Sequence, residues 1–340
     1  MNNRNIAVIG AGSWGTTLAN LLADKGYDVK LWVYEEKLCR IIKEEKENTV
    51  YLPGFRISER IHPTTSIEET ADGVDTFLMV VPSHAVRSVA TQLAPFLPPD
   101  AIIINAAKGI ENNSLTTVSY ILREIFPERF HKRLATISGP TFAKEVSLKT
   151  PAAVVAASED IRIAEKVQEM FTTSYIRVFT NTDLIGVELG GALKNVIAIA
   201  AGISDGLGFG YNARAALITR GLVEMMRLGI ALGARSQTLS GLSGLGDLVL
   251  TCTGDLSRNR TVGLKIGKGM KIDEIQKSMK MVAEGIRTVK SVHDLKKRYK
   301  VKGAIIDEIY AILYEDKSPE KALKDLMRVE IKDEFEGIIQ

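Results

Sequence analysis

Up to Phe179 the chain alternates short apolar runs with amphipathic stretches, and beyond it only the helical pattern continues. The first run, Asn5 to Ile9, is followed by a helical stripe of Leu18, Leu21 and Leu22. Residues 28–33, 76–82, 101–105, 135–138, 151–157 and 175–179 form further apolar runs, and Ile161–Phe171 is amphipathic at helical spacing. Nearly unbroken runs such as Phe77-Leu78-Met79-Val80-Val81 fit strands covered on both faces. Strands alternating with helices predict βαβ units and a doubly wound sheet. The polar stretch Thr180-Asn181-Thr182-Asp183 ends the alternation. The spacing thus predicts an α/β domain over residues 1–181 and an all-helical domain over 182–340. A chain of 340 residues is long enough for two such cores.

The helical half opens on a segment with one charge in it. From Ala192 to Ile203 the only ionisable side chain is Lys194. Its neighbours three and four residues away are Gly190, Gly191, Ile197 and Ala198, so small residues are expected to leave room for a ligand beside the amine. A lysine in apolar surroundings is costly unless it is paired or its pKa falls, and a neutral amine is a usable base. The alternative is a helix-end lysine whose ammonium reaches solvent along its aliphatic stem.

Gly10-Ala11-Gly12-Ser13-Trp14-Gly15 sits between the first strand and the first helix, the setting in which G-x-G-x-x-G signals dinucleotide binding. Gly10 permits the tight turn, Gly12 lets the backbone approach a pyrophosphate, and Gly15 lets the helix pack closely on the sheet. The start of the helix, at Ser13 and Trp14, presents free N–H groups and its positive dipole end to that anion. The competing reading is a tight βα turn with no ligand. An acidic residue after the second strand selects NAD, and an arginine there accommodates the 2′-phosphate of NADP. Tyr34 stands directly after the strand and Glu35 follows it, which leans towards NAD and leaves NADP open. This makes the first domain Rossmann-like.

Open parallel sheets bind ligands beyond the carboxyl ends of their strands, and Lys108 falls just past the strand at 101–105. A solvated loop lysine is the alternative. In the helical half, the loop over 244–260 is dense in polar groups. Ser257, Arg258 and Asn259 are three successive donors to an oxyanion, and the planar fork of an arginine suits a phosphate. A surface turn with a solvated arginine pair is the alternative.

Composition narrows the picture further. With 44 basic and 41 acidic side chains the formal charge is +3, which gives no reason to invoke nucleic acid or a membrane surface. Cys39 and Cys252 lie far apart with no CxxC or Cys/His cluster, and the four histidines are scattered, so free thiols and no metal site are expected. The N-terminus lacks the pattern of a signal peptide, and no uninterrupted apolar run approaches the roughly 18 residues of a membrane span; a cytoplasmic protein is expected. GKS, GKT and GxSxG are absent, so nucleotide triphosphatase and hydrolase readings lack support.

Several of these pieces occur in one fixed order. The glycine fingerprint precedes Val80-Val81-Pro82-Ser83-His84, Lys108-Gly109-Ile110, Ser138-Gly139-Pro140-Thr141 and Lys194-Asn195. Gly246-Asp247-Leu248, Ser257-Arg258-Asn259-Arg260 and Val282-Ala283-Glu284-Gly285 follow. Over nearly its whole length the chain closely resembles the bacterial-type NAD(P)-dependent glycerol-3-phosphate dehydrogenases. The resemblance implies interconversion of sn-glycerol 3-phosphate and dihydroxyacetone phosphate, which supplies the backbone of glycerophospholipids. It implies a helical second domain on the plan of 6-phosphogluconate dehydrogenases, a homodimer, and NAD or NADP as cofactor.

Carried over residue by residue, the resemblance makes Lys194 the proton acceptor. It assigns substrate contacts to Lys108, Gly139, Thr141, Asp247, Ser257, Arg258 and Asn259. It assigns cofactor contacts to Ser13, Trp14, Tyr34, Lys108, Ala143, Arg258, Val282 and Glu284. Thr141 and Phe142 stand where many relatives have Ser-His, and Thr141 keeps the hydroxyl. Tyr34 stands where relatives often have Arg or His. Another dehydrogenase of the β-hydroxyacid or 6-phosphogluconate type, and a non-catalytic dinucleotide sensor, are the competing readings. The former also place a lysine on a second-domain helix, but the Lys194-Asn195 and Ser257-Arg258-Asn259-Arg260 combination argues against them; the latter has no need for Lys108, Lys194 and a phosphate clamp together.

Overall fold

A computed structural model describes residues 4–278 and 284–328. The chain forms two compact units, residues 1–107 with 118–184 and residues 108–117 with 185–340. Residues 108–117, grouped by sequence with the first domain, pack with the second. Ser291 holds that segment, donating to Asn112 Oδ1 at 2.6 Å and to Ile110 O at 3.4 Å.

The strands of the first unit are β1 (Asn5–Ile9), β2 (Asp28–Trp32), β3 (Glu47–Asn48), β4 (Leu52–Arg56), β5 (Ile61–Thr64), β6 (Thr76–Met79), β7 (Ile102–Asn105), β8 (Leu134–Ser138), β9 (Ala152–Ala157) and β10 (Ile176–Asn181). Eight of them form one sheet in the order β10-β9-β8-β7-β6-β1-β2-β5, and β3 and β4 pair as a separate antiparallel ribbon. The principal helices of this unit are α1 (Ser13–Asp24), α2 (Glu36–Glu45), α3 (Val86–Leu93), α4 (Val118–Ile125) and α5 (Ile161–Phe171).

Alternate residues of the central strands enter opposite cores. Phe77, Met79 and Ile103 belong to one buried cluster, and Leu78, Ile102 and Ile104 to the other. A strand buried on both faces has no polar side to alternate with, which is why these segments read as continuous apolar runs. The sheet is not wholly parallel: β8 and β9 pair antiparallel. Their connection carries only the five-residue helix Ala143–Ser147, and the chain turns back along β8 instead of crossing over it.

The second unit is helical: α6 (Leu184–Gly206), α7 (Tyr211–Ala231), α8 (Asp247–Thr253), α9 (Arg258–Gly267), α10 (Glu284–Arg298), α11 (Ala304–Tyr314) and α12 (Pro319–Met327) are its main elements. Its core gathers around α6, where Leu193, Val196, Ile197, Ala200 and Ala201 are buried. By length and composition α6 could cross a membrane, but in the structure 94% of its most apolar window is buried. Helices that are apolar all round are core helices when protein covers them.

Candidate active site

In the first unit the glycine fingerprint folds as a βα turn with three distinct uses of glycine. Gly10 has φ +119°, in the region favouring glycine, and a Cβ there would lie 3.0 Å from the Val80 carbonyl carbon. A Cβ on Gly15 would collide with the carbonyl oxygen of Gly10. At Gly12 a Cβ would meet nothing within 4 Å. The open side of the turn is therefore at Gly12, where a pyrophosphate has to approach.

Helix α1 starts at Ser13 with no side-chain cap and no acidic residue in its first turn, which leaves its N–H groups suited to an anion. Trp14 Nε1 is buried with no partner among the described residues. These observations fit a dinucleotide. Beyond β2, Tyr34 is 78% exposed, and the Glu35 carboxylate accepts a hydrogen bond from Tyr51 Oη at 2.8 Å. That bond is also the main reason the Tyr51 hydroxyl titrates above its usual range.

Asn48 is a residue that sequence reasoning missed here. It is fully buried, donates to Ala11 O and to Thr16 Oγ1 at 2.8 Å each, and accepts from Tyr51 N at 2.9 Å. It ties the short ribbon of β3 and β4 to the glycine turn. Nothing in its sequence neighbourhood marks it, because the pairing spans 37 residues.

Gly139, Thr141 and Ala143 also lie in the first unit, past the end of β8. Gly139 has φ +152°, and a Cβ there would sit 2.9 Å from Val154 Cα. Thr141 Oγ1 donates to Gly139 O at 3.3 Å. Thr17 of α1 donates to Ala143 O at 3.3 Å, so the short helix 143–147 is fastened to the helix that follows the glycine turn.

In the second unit, Lys108, Lys194 and Asp247 come together. Asp247, at 0% exposure, opens α8 after a π-helical turn over Leu242–Gly246. Lys108 Nζ donates to Asp247 Oδ2 at 2.6 Å, and Lys194 Nζ donates to Asp247 Oδ1. Lys194 also donates to Thr251 Oγ1 at 2.8 Å, and the Thr251 hydroxyl in turn donates to the Asp247 carbonyl at 2.6 Å. Thr251 was not among the residues singled out by sequence. Its place four residues after Asp247, on the same helix face, is the signal that points to it.

Lys194 is buried, and burial is the first cause lowering its pKa; Asp247 raises it and Lys108 lowers it, leaving a value of about 8. The neighbouring Cys252 thiol is pushed up to about 12, chiefly by burial, and stays protonated. Of the small residues near Lys194, Gly190 serves a purpose other than the expected one. A Cβ at Gly190 would lie 2.5 Å from Ser243 O, so the space there is filled by the backbone that leads into Asp247.

Ser257, buried, caps α9 by accepting from Arg260 N at 3.2 Å, and Arg258 is exposed in the first turn. Asn259 is largely committed within the protein. Its Nδ2 donates to Asn195 Oδ1 at 2.8 Å and its Oδ1 accepts from Gly285 N at 3.1 Å, which leaves one amide hydrogen for a ligand. Glu284 begins α10 beside that contact, and Val282 lies outside the described residues. Among the described residues no group of three or more His, Cys, Asp or Glu side chains converges as metal ligands would.

Two family models cover most of the chain. Residues 5–164 match the N-terminal model of NAD-dependent glycerol-3-phosphate dehydrogenase and residues 183–324 match its C-terminal model. A protein of Citrifermentans bemidjiense named glycerol-3-phosphate dehydrogenase [NAD(P)+] is 55% identical over 329 residues, 97% of this chain and 98% of its own length. The protein of the same name from Syntrophobacter fumaroxidans is 51% identical over 331 residues, 97% of each chain. The crystal structure of glycerol-3-phosphate dehydrogenase from Coxiella burnetii superposes with a TM-score of 0.91 at 39% identity, covering 95% of this chain and 98% of that one.

Proposed function

The chain belongs to the NAD-dependent glycerol-3-phosphate dehydrogenase family, and from that premise we propose how its own residues carry out the reaction. It is an NAD(P)-dependent oxidoreductase acting on sn-glycerol 3-phosphate and dihydroxyacetone phosphate. The dinucleotide, when bound, accepts or supplies the hydride, so the protein has to hold two ligands and manage one proton.

The observation that carries the mechanism is the hydrogen bonding of Lys194. A neutral amine has two hydrogens and one lone pair. Asp247 Oδ1 and Thr251 Oγ1 take the two hydrogens, which leaves the lone pair to accept the proton of the C2 hydroxyl. In the reverse direction the third N–H of the ammonium protonates the oxygen at C2. A pKa of about 8 keeps both forms accessible near neutral pH. Lys108, on the other oxygen of Asp247, steadies the carboxylate and brings a second cation to the same oxygen of the substrate. Arg258 and the Ser257 hydroxyl hold the phosphate, with the remaining Asn259 hydrogen, while Gly139 and Thr141 contribute the substrate contacts implied by the family pattern.

The Gly10–Gly15 turn takes the pyrophosphate, with Ser13 and Trp14 at the start of α1. Ala143, Glu284 and Val282 complete the cofactor contacts. The Glu35 carboxylate, held by Tyr51, favours a ribose 2′-hydroxyl over a 2′-phosphate, so NADH is the better reductant. Family likeness supports a cytoplasmic homodimer that supplies glycerol 3-phosphate for phospholipid synthesis. The test is a reductase assay on dihydroxyacetone phosphate with NADH and NADPH side by side. Oxidation of the nicotinamide dependent on dihydroxyacetone phosphate is expected with both and is faster with NADH. No oxidation with either would overturn the reading.

A further inference from the structure

The run Ser257-Arg258-Asn259-Arg260 ends in an arginine that the mechanism above does not use. Arg260 Nε donates to Asp205 Oδ2 and its Nη1 to Asp255 Oδ1, each at 2.8 Å. Asp205, whose side chain is 6% exposed, lies in the last turn of α6. Its Oδ1 accepts from Arg214 of α7, at 3.0 Å from Nε and 2.7 Å from Nη2. Each oxygen of one nearly buried carboxylate therefore serves a different guanidinium.

Helix α6 also carries Lys194 and Asn195, and α9 runs beside it in the same direction. Asn195 faces Asn259, Ile199 faces Gly263 and Ile203 faces Gly267, each pair 64 residues apart. The contact is backbone against backbone. A Cβ on Gly202 would collide with Arg260 O, one on Gly263 with Ile199 O, and one on Gly267 with Ile203 O. Helices that meet over glycine approach closely, backbone against backbone at these positions. Polar ties help to fix their register: Asn195–Asn259 beside the proton-carrying lysine, and Asp205–Arg260.

We propose that Asp205 is a positioning residue for the phosphate group of the substrate. By holding Arg260 it fixes the first turn of α9, and with it Ser257 and Arg258, against the helix that carries Lys194. Together with Asp255 it also offsets the charge of Arg260. Loss of the carboxylate leaves two largely buried guanidinium groups without their common counter-ion and frees that turn to shift. This inference rests on the phosphate-clamp reading of Ser257 and Arg258.

The test compares Asp205→Asn, Arg260→Lys and Arg258→Ala with the wild type in KM for glycerol 3-phosphate, KM for NAD, kcat and melting temperature. Asp205→Asn is expected to raise KM for glycerol 3-phosphate roughly tenfold while KM for NAD and kcat stay within about twofold. Arg260→Lys, which keeps the charge and one bond, gives a smaller rise in the same parameter. A variant that melts earlier with KM for glycerol 3-phosphate unchanged, or that loses kcat at constant KM, overturns the positioning role. If Asp205→Asn does not fold, Arg260→Lys decides by the same split. Arg258→Ala separates the two levels: an unchanged KM there overturns the phosphate reading itself. A raised KM there with none in Asp205→Asn overturns the role of Asp205 alone.

Discussion

Lys108 and Lys194 donate to opposite oxygens of a single buried carboxylate, that of Asp247. The arrangement sets two opposing influences on Lys194. The carboxylate favours its ammonium form, while burial and the second cation favour the neutral amine. Burial is the largest of the three, and the balance falls at about 8 rather than 10.5.

The two directions of the reaction should therefore respond oppositely to pH. Oxidation of glycerol 3-phosphate needs the neutral amine, so its kcat/KM rises as pH passes upward through about 8. Reduction of dihydroxyacetone phosphate needs the ammonium, so its kcat/KM falls over the same interval. Asp247→Asn removes the charge that holds the proton on Lys194, and both midpoints move to lower pH. Midpoints unchanged in that variant would assign the titration to another group.

Asn48 connects residues distant in sequence at the glycine turn. Asn48→Ala removes the nearer donor to the Ala11 carbonyl and leaves only the Thr16 hydroxyl at 3.4 Å, a loss on the order of 1–3 kcal/mol in stability. The turn that faces the pyrophosphate loosens with it. Calorimetric titration with NADH is expected to show several-fold weaker binding, while KM for glycerol 3-phosphate changes little.

Glu224 of α7 provides a stability prediction away from the site. Its oxygens accept from Ile305 N at 2.9 Å and Ile306 N at 3.1 Å in the first turn of α11. Burial outweighs those bonds and raises the carboxyl from 4.5 to about 7. A folded-state pKa above the unfolded one means that the native state holds its proton more tightly. The contribution, on the order of 3 kcal/mol, is complete below pH 4.5 and is lost as pH rises through 7. Glu224→Gln should flatten this part of the curve of melting temperature against pH. An unaltered slope would show that other groups set it.

Much of this was legible in the sequence because burial on both faces writes a strand as an apolar run. The runs at β1, β6 and β7 were visible for that reason. Strand β5 was not, because Pro63 removes a donor and half the strand is polar; only its place at the edge of the sheet permits both. The reversal of β9 depends on the length and path of a connection, which residue pattern does not encode.

Within the site, Lys108, Lys194 and Asp247 were chosen by residue type and motif order. Their convergence on one carboxylate spans 139 and 53 residues of sequence and is a property of the fold. The use of Gly190 is equally a property of the fold. A glycine shows that space is needed, and only the tertiary structure shows that Ser243 fills it.

The central claim is that Lys194 carries the proton of the C2 hydroxyl, and turnover of Lys194→Ala tests it most directly. General acid–base assistance is worth about 10²–10⁴-fold, so kcat for glycerol 3-phosphate oxidation should fall by that order while NADH still binds with wild-type affinity. A variant that binds NADH normally and turns over within a few-fold of the wild type would contradict the account.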